Sequence, residues 1–239
     1  MVQEACTPVT RIPAQLANGS YCMTFDVGVA GMTPLRLASD VTLDCRGHRI
    51  YALPGYTPQA VYAEGDNIVL KNCVIEGFRI GIAFENVTRY RIESNTLIGS
   101  GAWSINASGK WGQIYGNVIT NPRSLPSHYW GINASGSADI VGNSVMGAEG
   151  TGYDYIARYG VISRNNPLGI LSRNFIRNIH PAGGGQGWGI GVMNGVSVVV
   201  ADNVVTAPPG KGDLAFFCYM VDPISIGNVV TGYSQRFTC

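Results

Sequence analysis

The polar and apolar positions of this chain fall into a short motif that keeps returning. It runs aliphatic, two variable residues, Asn or Cys, one variable residue, aliphatic. It appears as LKNCVI, IESNTL, IYGNVI, IVGNSV, LSRNFI and VADNVV, with a looser SIGNVV last. Its anchor positions are Cys73, Asn95, Asn117, Asn143, Asn174, Asn203 and Asn228, spaced 22, 22, 26, 31, 29 and 25 residues apart. Upstream, VTLDCRGHRI supplies an irregular copy with Cys45 in the same role. A second pattern leads the copies by 11 to 13 residues: RIGIAF, WSINAS, WGINAS, YGVISR and WGIGVM. Alternation inside these segments, with no helical periodicity between them, predicts repeated strand–turn–strand units.

A period near 22 that grows by insertion predicts an all-β fold, a right-handed parallel β-helix of about seven to eight coils. Equivalent residues then stack about 4.8 Å apart along the axis. Asn suits such a column because it tolerates a left-handed turn, and its amide can bond the turn backbone and the same amide one coil away. The pairs Ile82/Phe84, Ile105/Ala107, Ile132/Ala134, Val161/Ser163 and Ile190/Val192 supply inward columns on one strand. An antiparallel sandwich would need hairpin signals and leaves the in-phase Asn column unexplained. One domain is expected over 1–239, with a cap at 1–37, coils over 38–230 and a second cap at 231–239.

Composition narrows the class. Charged residues are 13% of the chain, Gly is 32 of 239, and the formal net charge is +1. Basic residues are scattered, so nucleic acid is not an expected partner. No apolar run is long enough for a spanning helix. The opening VQEAC after Met1 carries no secretory apolar stretch, so the chain is either cytosolic or begins after a removed leader. The six cysteines weigh on that choice. Cys45 and Cys73 share a column on adjacent coils, within disulfide reach. Three local bonds are expected: Cys6–Cys22 and Cys45–Cys73 near one end, Cys218–Cys239 at the other. They point to a secreted or periplasmic protein. No spacing suits a metal site, and no motif implies a cofactor.

The stretches VTLDCRGHRI and NIVLKNCVIEGFRIGIAF resemble the opening coils of the pectate-lyase-like superfamily, nearest to its carbohydrate-binding and sugar-hydrolysing repeat branch. The likeness spans roughly residues 38 to 230 and lies in core and turn positions. It implies a scaffold on which lyases, hydrolases, epimerases and non-enzymatic proteins are all built. The paired aspartates of the polygalacturonases, the Asp-Pro-His-Asp of the epimerases and the calcium-binding acidic set of the pectate lyases are missing. His48 occupies a turn of the repeat and reads as scaffold.

The remaining guide is topography. Insertions at 121–129, 148–158, 178–187 and 206–214 follow the Asn column in successive copies, so they should stack into one wall. The strand after them carries two outward columns, Ala83/Asn106/Asn133/Ile162/Gly191 and Glu85/Ser108/Ser135/Arg164/Met193, a floor for a sugar chain. Asn106, Asn133, Glu85 and Lys211 are the expected substrate-binding residues, although Asn106 and Asn133 would equally form a plain surface amide ladder. The column Trp103/Trp130/Tyr159/Trp188 sits two residues before inward positions, which predicts a buried or corner stack. β-Elimination of a uronic acid needs a cation at the carboxylate and a base at C5. In the superfamily it resembles, that base is often Arg or Lys. Arg158, Arg164, His128, Tyr155 and Asp154 are the catalytic candidates. For hydrolysis, only Asp154 with Glu149 or Asp213 offers a carboxylate pair. Three readings follow: a polysaccharide-cleaving enzyme, a lyase before a hydrolase; a glycan-binding module without turnover; and an adhesive β-helix with a protein partner.

Overall fold

Short apolar-alternating segments joined by tight corners here wind forward rather than folding back as hairpins. The computed structural model describes residues 5–11, 15–31, 34–55, 58–120, 129–149, 158–180, 187–195, 197–207, 212–221 and 223–238. Every strand pairing among them is parallel, and each strand pairs with its equivalent one coil away, as in Ile75↔Leu97 and Leu97↔Ile119. The result is a parallel β-solenoid with no helix among the described residues.

Each coil has three sides. The first carries the WGINAS-type segments. The second carries the segment just before the Asn column, for example Gln113 to Tyr115. In three coils the two sides run on as one bent strand: Ile80–Glu93, Trp103–Tyr115 and Tyr129–Val141. The third side is a separate sheet of nine strands among the described residues, from Val27–Val29 to Val229–Thr231. Its rung at Val27–Val29 lies one coil ahead of the irregular copy read from the sequence.

The core is the space between the three sides. Ile82, Phe84, Ile105, Ala107, Ile132, Ala134, Val161, Ser163, Ile190 and Val192 are all buried, as the alternation predicted. The Asn column is buried as well. The backbone N–H and Nδ2 of Asn95 both donate to Oδ1 of Asn117 at 3.0 Å. The same pair of bonds links Asn117 to Asn143, Asn143 to Asn174, Asn174 to Asn203, and Asn203 to Asn228. Each amide also donates to a main-chain carbonyl of the preceding coil, as Asn143 does to Ile114 at 2.9 Å. The left-handed conformation expected of these Asn residues belongs to the residue before each: Asn72, Ser94, Gly116, Gly142, Arg173, Asp202 and Gly227, with φ between 54° and 66°. That preceding residue turns the corner, which frees the Asn to point inward.

Disulfides join Cys6 to Cys22 and Cys45 to Cys73, with Cα atoms 5.7 and 4.7 Å apart. Cys218 is also disulfide-bonded, and its predicted partner Cys239 lies outside the described residues.

A buried amide left without its partner costs about 1–3 kcal/mol. Asn143→Ala removes the acceptor that the N–H and Nδ2 of Asn117 share, leaving Nδ2 only its carbonyl partners, so it should lower stability by about 3 kcal/mol. Asn228→Ala, at the half-exposed end of the ladder, should cost about 1 kcal/mol. Urea denaturation of the two variants checks the ordering.

Candidate functional site

The first side carries the predicted floor. Its columns are in register as expected: Ala83↔Asn106↔Asn133↔Ile162↔Gly191, and Ser108↔Ser135↔Arg164↔Met193. Asn106 and Asn133 are half-buried, and Nδ2 of Asn133 donates to Oδ1 of Asn106 at 2.7 Å, so the surface amide ladder exists across these two coils. Ala83 is buried, so the floor begins at Asn106. His128, Asp154, Tyr155 and Lys211 lie outside the described residues, as does most of the loop wall; of Arg158, Glu149 and Asp213 the backbone alone is described. Arg158 and Arg164 open and close one strand. Six residues of extended chain put their Cα atoms on the order of 20 Å apart.

The Trp column stands differently from its predicted parity. Ser104 and Ile105 are both buried, and so are Gly131 with Ile132 and Gly189 with Ile190. A Cβ on Gly189 would meet the core residue Val205 at 2.3 Å, which confirms that this position faces inward. Two successive inward residues break the alternation, so the aromatic before them returns to the outer side. Trp103 and Trp130 are half-buried and stack at 5.1 Å and 11°, while Trp188 stacks on Phe217 at 4.1 Å. Rings that cover one another's faces support neighbouring coils; they leave little face for a sugar.

Polar chemistry collects at the corner between the first and second sides. A groove of about 340 Å³ is lined by Asn86, Thr88, Ser108, Gly109, Lys110, Ser135, Gly136 and Asn165. None of these is a carboxylate. Arg164 sits beside it, between Ser135 in register and Asn165 in sequence. Arg164 is half-buried and its Nε has no acceptor, whereas Arg49 and Arg91 are ion-paired to Glu76 and Glu93. Gly109 and Gly136 make the corner possible. Both have positive φ, and a Cβ on Gly136 would sit 1.9 Å from the Gly109 carbonyl oxygen.

Beside this groove stands Trp111, which is absent from the repeated column. The register slips between Gly109 and Gly112, so one extra residue bulges outward here. Trp111 occupies the bulge with φ 55° and is 63% exposed. The cause lies underneath. The buried Tyr90 ring fills the space at Gly112, where an added Cβ would come within 2.1 Å of it, so the chain rides over the ring. A bulky residue held left-handed and exposed costs about 1–2 kcal/mol, and such strain gathers at functional positions. The slip was visible in the sequence as one extra letter, since SGKWGQIYGN and SGSADIVGN differ in length by one between the same Ser and Asn.

At the other end of the outward column, Tyr62 donates to the carboxylates of Glu64 and Glu85, each at 3.1 Å. Glu85 was expected to bind substrate; Tyr62 and Glu64 were missed, although VYAE and IAFE repeat the pattern one coil apart. The guanidinium of Arg36 lies 5.4 Å over the Tyr62 ring.

The description "Right handed beta helix region" matches residues 59–217. The chain belongs to that family. No curated protein matches it closely enough to add an activity. This right-handed β-helix is of a kind common among polysaccharide-acting enzymes and binding proteins, which agrees with the pectate-lyase-like resemblance and leaves the activity to the site.

Two predictions follow from these contacts. Gly136→Ala should disrupt folding or cost about 3 kcal/mol, because Cβ has no room and φ is positive; thermal unfolding measures it. Partial burial first, then the bonds to Glu64 and Glu85, push the Tyr62 hydroxyl up to about 12. A raised value favours the fold while the phenol is protonated. That contribution is whole below pH ~10 and fades as pH rises toward 12. The ultraviolet titration difference between the protein and Tyr62→Phe should place the missing phenol in that window.

Proposed function

We propose that the protein acts on an acidic polysaccharide in an extracytoplasmic compartment, holding it at the corner groove and across the first side. Trp111 is the observation that carries this reading. It is an exposed indole held at conformational cost on a bulge, next to a groove that offers hydroxyls, amides and Lys110 but no carboxylate. An aromatic face packs on the C–H face of a pyranose, and the polar lining bonds its hydroxyls. Lys110 and Arg164, which has no ion pair among the described residues, would meet a uronate carboxylate. Structural disulfides persist in secreted and periplasmic proteins, which supports the compartment.

The reaction proposed is β-elimination. A cation at the carboxylate acidifies the C5 proton, a base removes it, C4=C5 forms, and the C4–O bond breaks as the leaving oxygen takes up a proton. Arg164 is the proposed base and Lys110 the carboxylate partner. Arg158, His128, Tyr155 and Asp154 would serve neighbouring sugars, with Lys211 and Asn106 in binding. One observation favours a second reading, binding without turnover: the groove lining holds no carboxylate, histidine or tyrosine to act as a base.

The test is incubation with a panel of polyuronates, with products read by mass spectrometry and binding by calorimetry. Fragments lacking one water are expected, with turnover abolished and binding retained in Arg164→Ala. Trp111→Ala should weaken binding about tenfold. Binding without fragments would select the second reading, and no binding to any polyuronate would refute the proposal.

A further inference from the structure

The second side holds a separate cavity that the groove does not account for. Its volume is about 430 Å³ and its lining is Gln113, Tyr115, Gly116, Asp139, Val141 and Gly142. Gln113 and Asp139 are in register on adjacent coils, as are Tyr115 and Val141.

Two corner glycines open this cavity, and their neighbours do not demand them. Gly116 and Gly142 have φ of 64° and 66°, but Asn72, Ser94, Arg173 and Asp202 turn the same corner on other coils with side chains in place. A Cβ on Gly142 would meet nothing within 4 Å. Space has therefore been left where the fold accepts a side chain. One wall is the Tyr115 ring, braced by Arg91, whose guanidinium lies 5.5 Å from its centre and bonds its hydroxyl. On the adjacent coil the cavity is lined by Asp139, Val141 and Gly142. The exposed Gln113 forms no hydrogen bond through its amide within the described residues. Asp139 uses Oδ1 to accept from the Ile170 N–H at 3.0 Å, which fixes the orientation of this carboxylate in the cavity wall.

We propose that this cavity is a second sugar subsite, specific for an uncharged pyranose. A braced aromatic ring, an amide and an oriented carboxylate are the groups that recognise C–H faces and hydroxyl pairs. The carboxylate of Asp139 disfavours a uronate, which sets this subsite apart from the groove with Lys110. The subsite lies on the same strand as Trp111 and stands whether or not the acidic-glycan reading holds.

The experiment titrates the full chain with neutral hexaoses of glucose, mannose, galactose and xylose, followed by calorimetry and by NMR. Binding of at least one hexaose is expected. Gly142→Asn, which places in the cavity a residue that the corner accepts at Asn72, should weaken it about tenfold or more with the melting temperature unchanged. Tyr115→Ala should do the same. Lys110→Ala and Arg164→Ala should leave it intact. The proposal is overturned if no hexaose binds at up to ~10 mM. It also falls if Gly142→Asn has no effect, or if the loss follows Lys110 and Arg164. Failure with polyuronates alone would strike the groove reading and not this one.

Discussion

The coils are held in step by buried amides. An Asn side chain placed in an apolar core must find partners for an acceptor and two donors. Here its Oδ1 accepts from the Asn of the coil before, and its Nδ2 donates to the Asn of the next coil and to a carbonyl of the coil before. A slip by one residue would bury an unmatched amide in every coil and turn the Ile columns toward water. Register is therefore set once per turn, and the stacks on the surface inherit it. The Asn106–Asn133 pair and the Trp103–Trp130 stack lie across coils because the ladder inside aligns them.

That alignment turns small irregularities into features. With each coil in register, one extra residue has nowhere to go except outward, and Lys110–Trp111 is where it goes. The second irregularity is a subtraction. Where four other coils carry Asn, Ser, Arg or Asp at the corner before the ladder, two consecutive coils carry Gly, and a cavity lies beside them. Bulge and cavity stand on the same strand, two sides of one departure from the repeat.

The scaffold was legible because its cause is periodic. Seven anchor positions in phase predicted the ladder, the inward Ile columns and the Cys45–Cys73 contact before any coordinates. The site was less legible because it sits where the period fails. Trp111 belongs to no column, and Tyr62 becomes a bridge only once Glu64 and Glu85 are brought together on adjacent coils. The parity of the Trp column misled for a local reason, since small residues at Ser104, Gly131 and Gly189 allow two inward positions in a row. The left-handed corner was one residue earlier than expected, because a side chain cannot both turn the corner and fill the core.

The ladder is built step by step. Each Asn joins its own coil to the ones on either side, and the bonds linking Asn117 to Asn143 are the same as those linking Asn174 to Asn203. A gene that lost or duplicated one whole coil would therefore encode a chain with every internal bond reproduced, shorter or longer by a single step. Length in this architecture is a heritable variable almost independent of foldability, while the fraction of a coil is forbidden. New surface can thus be acquired a whole turn at a time, and a departure such as the one at Trp111 can arise on a spare copy while the others keep the fold.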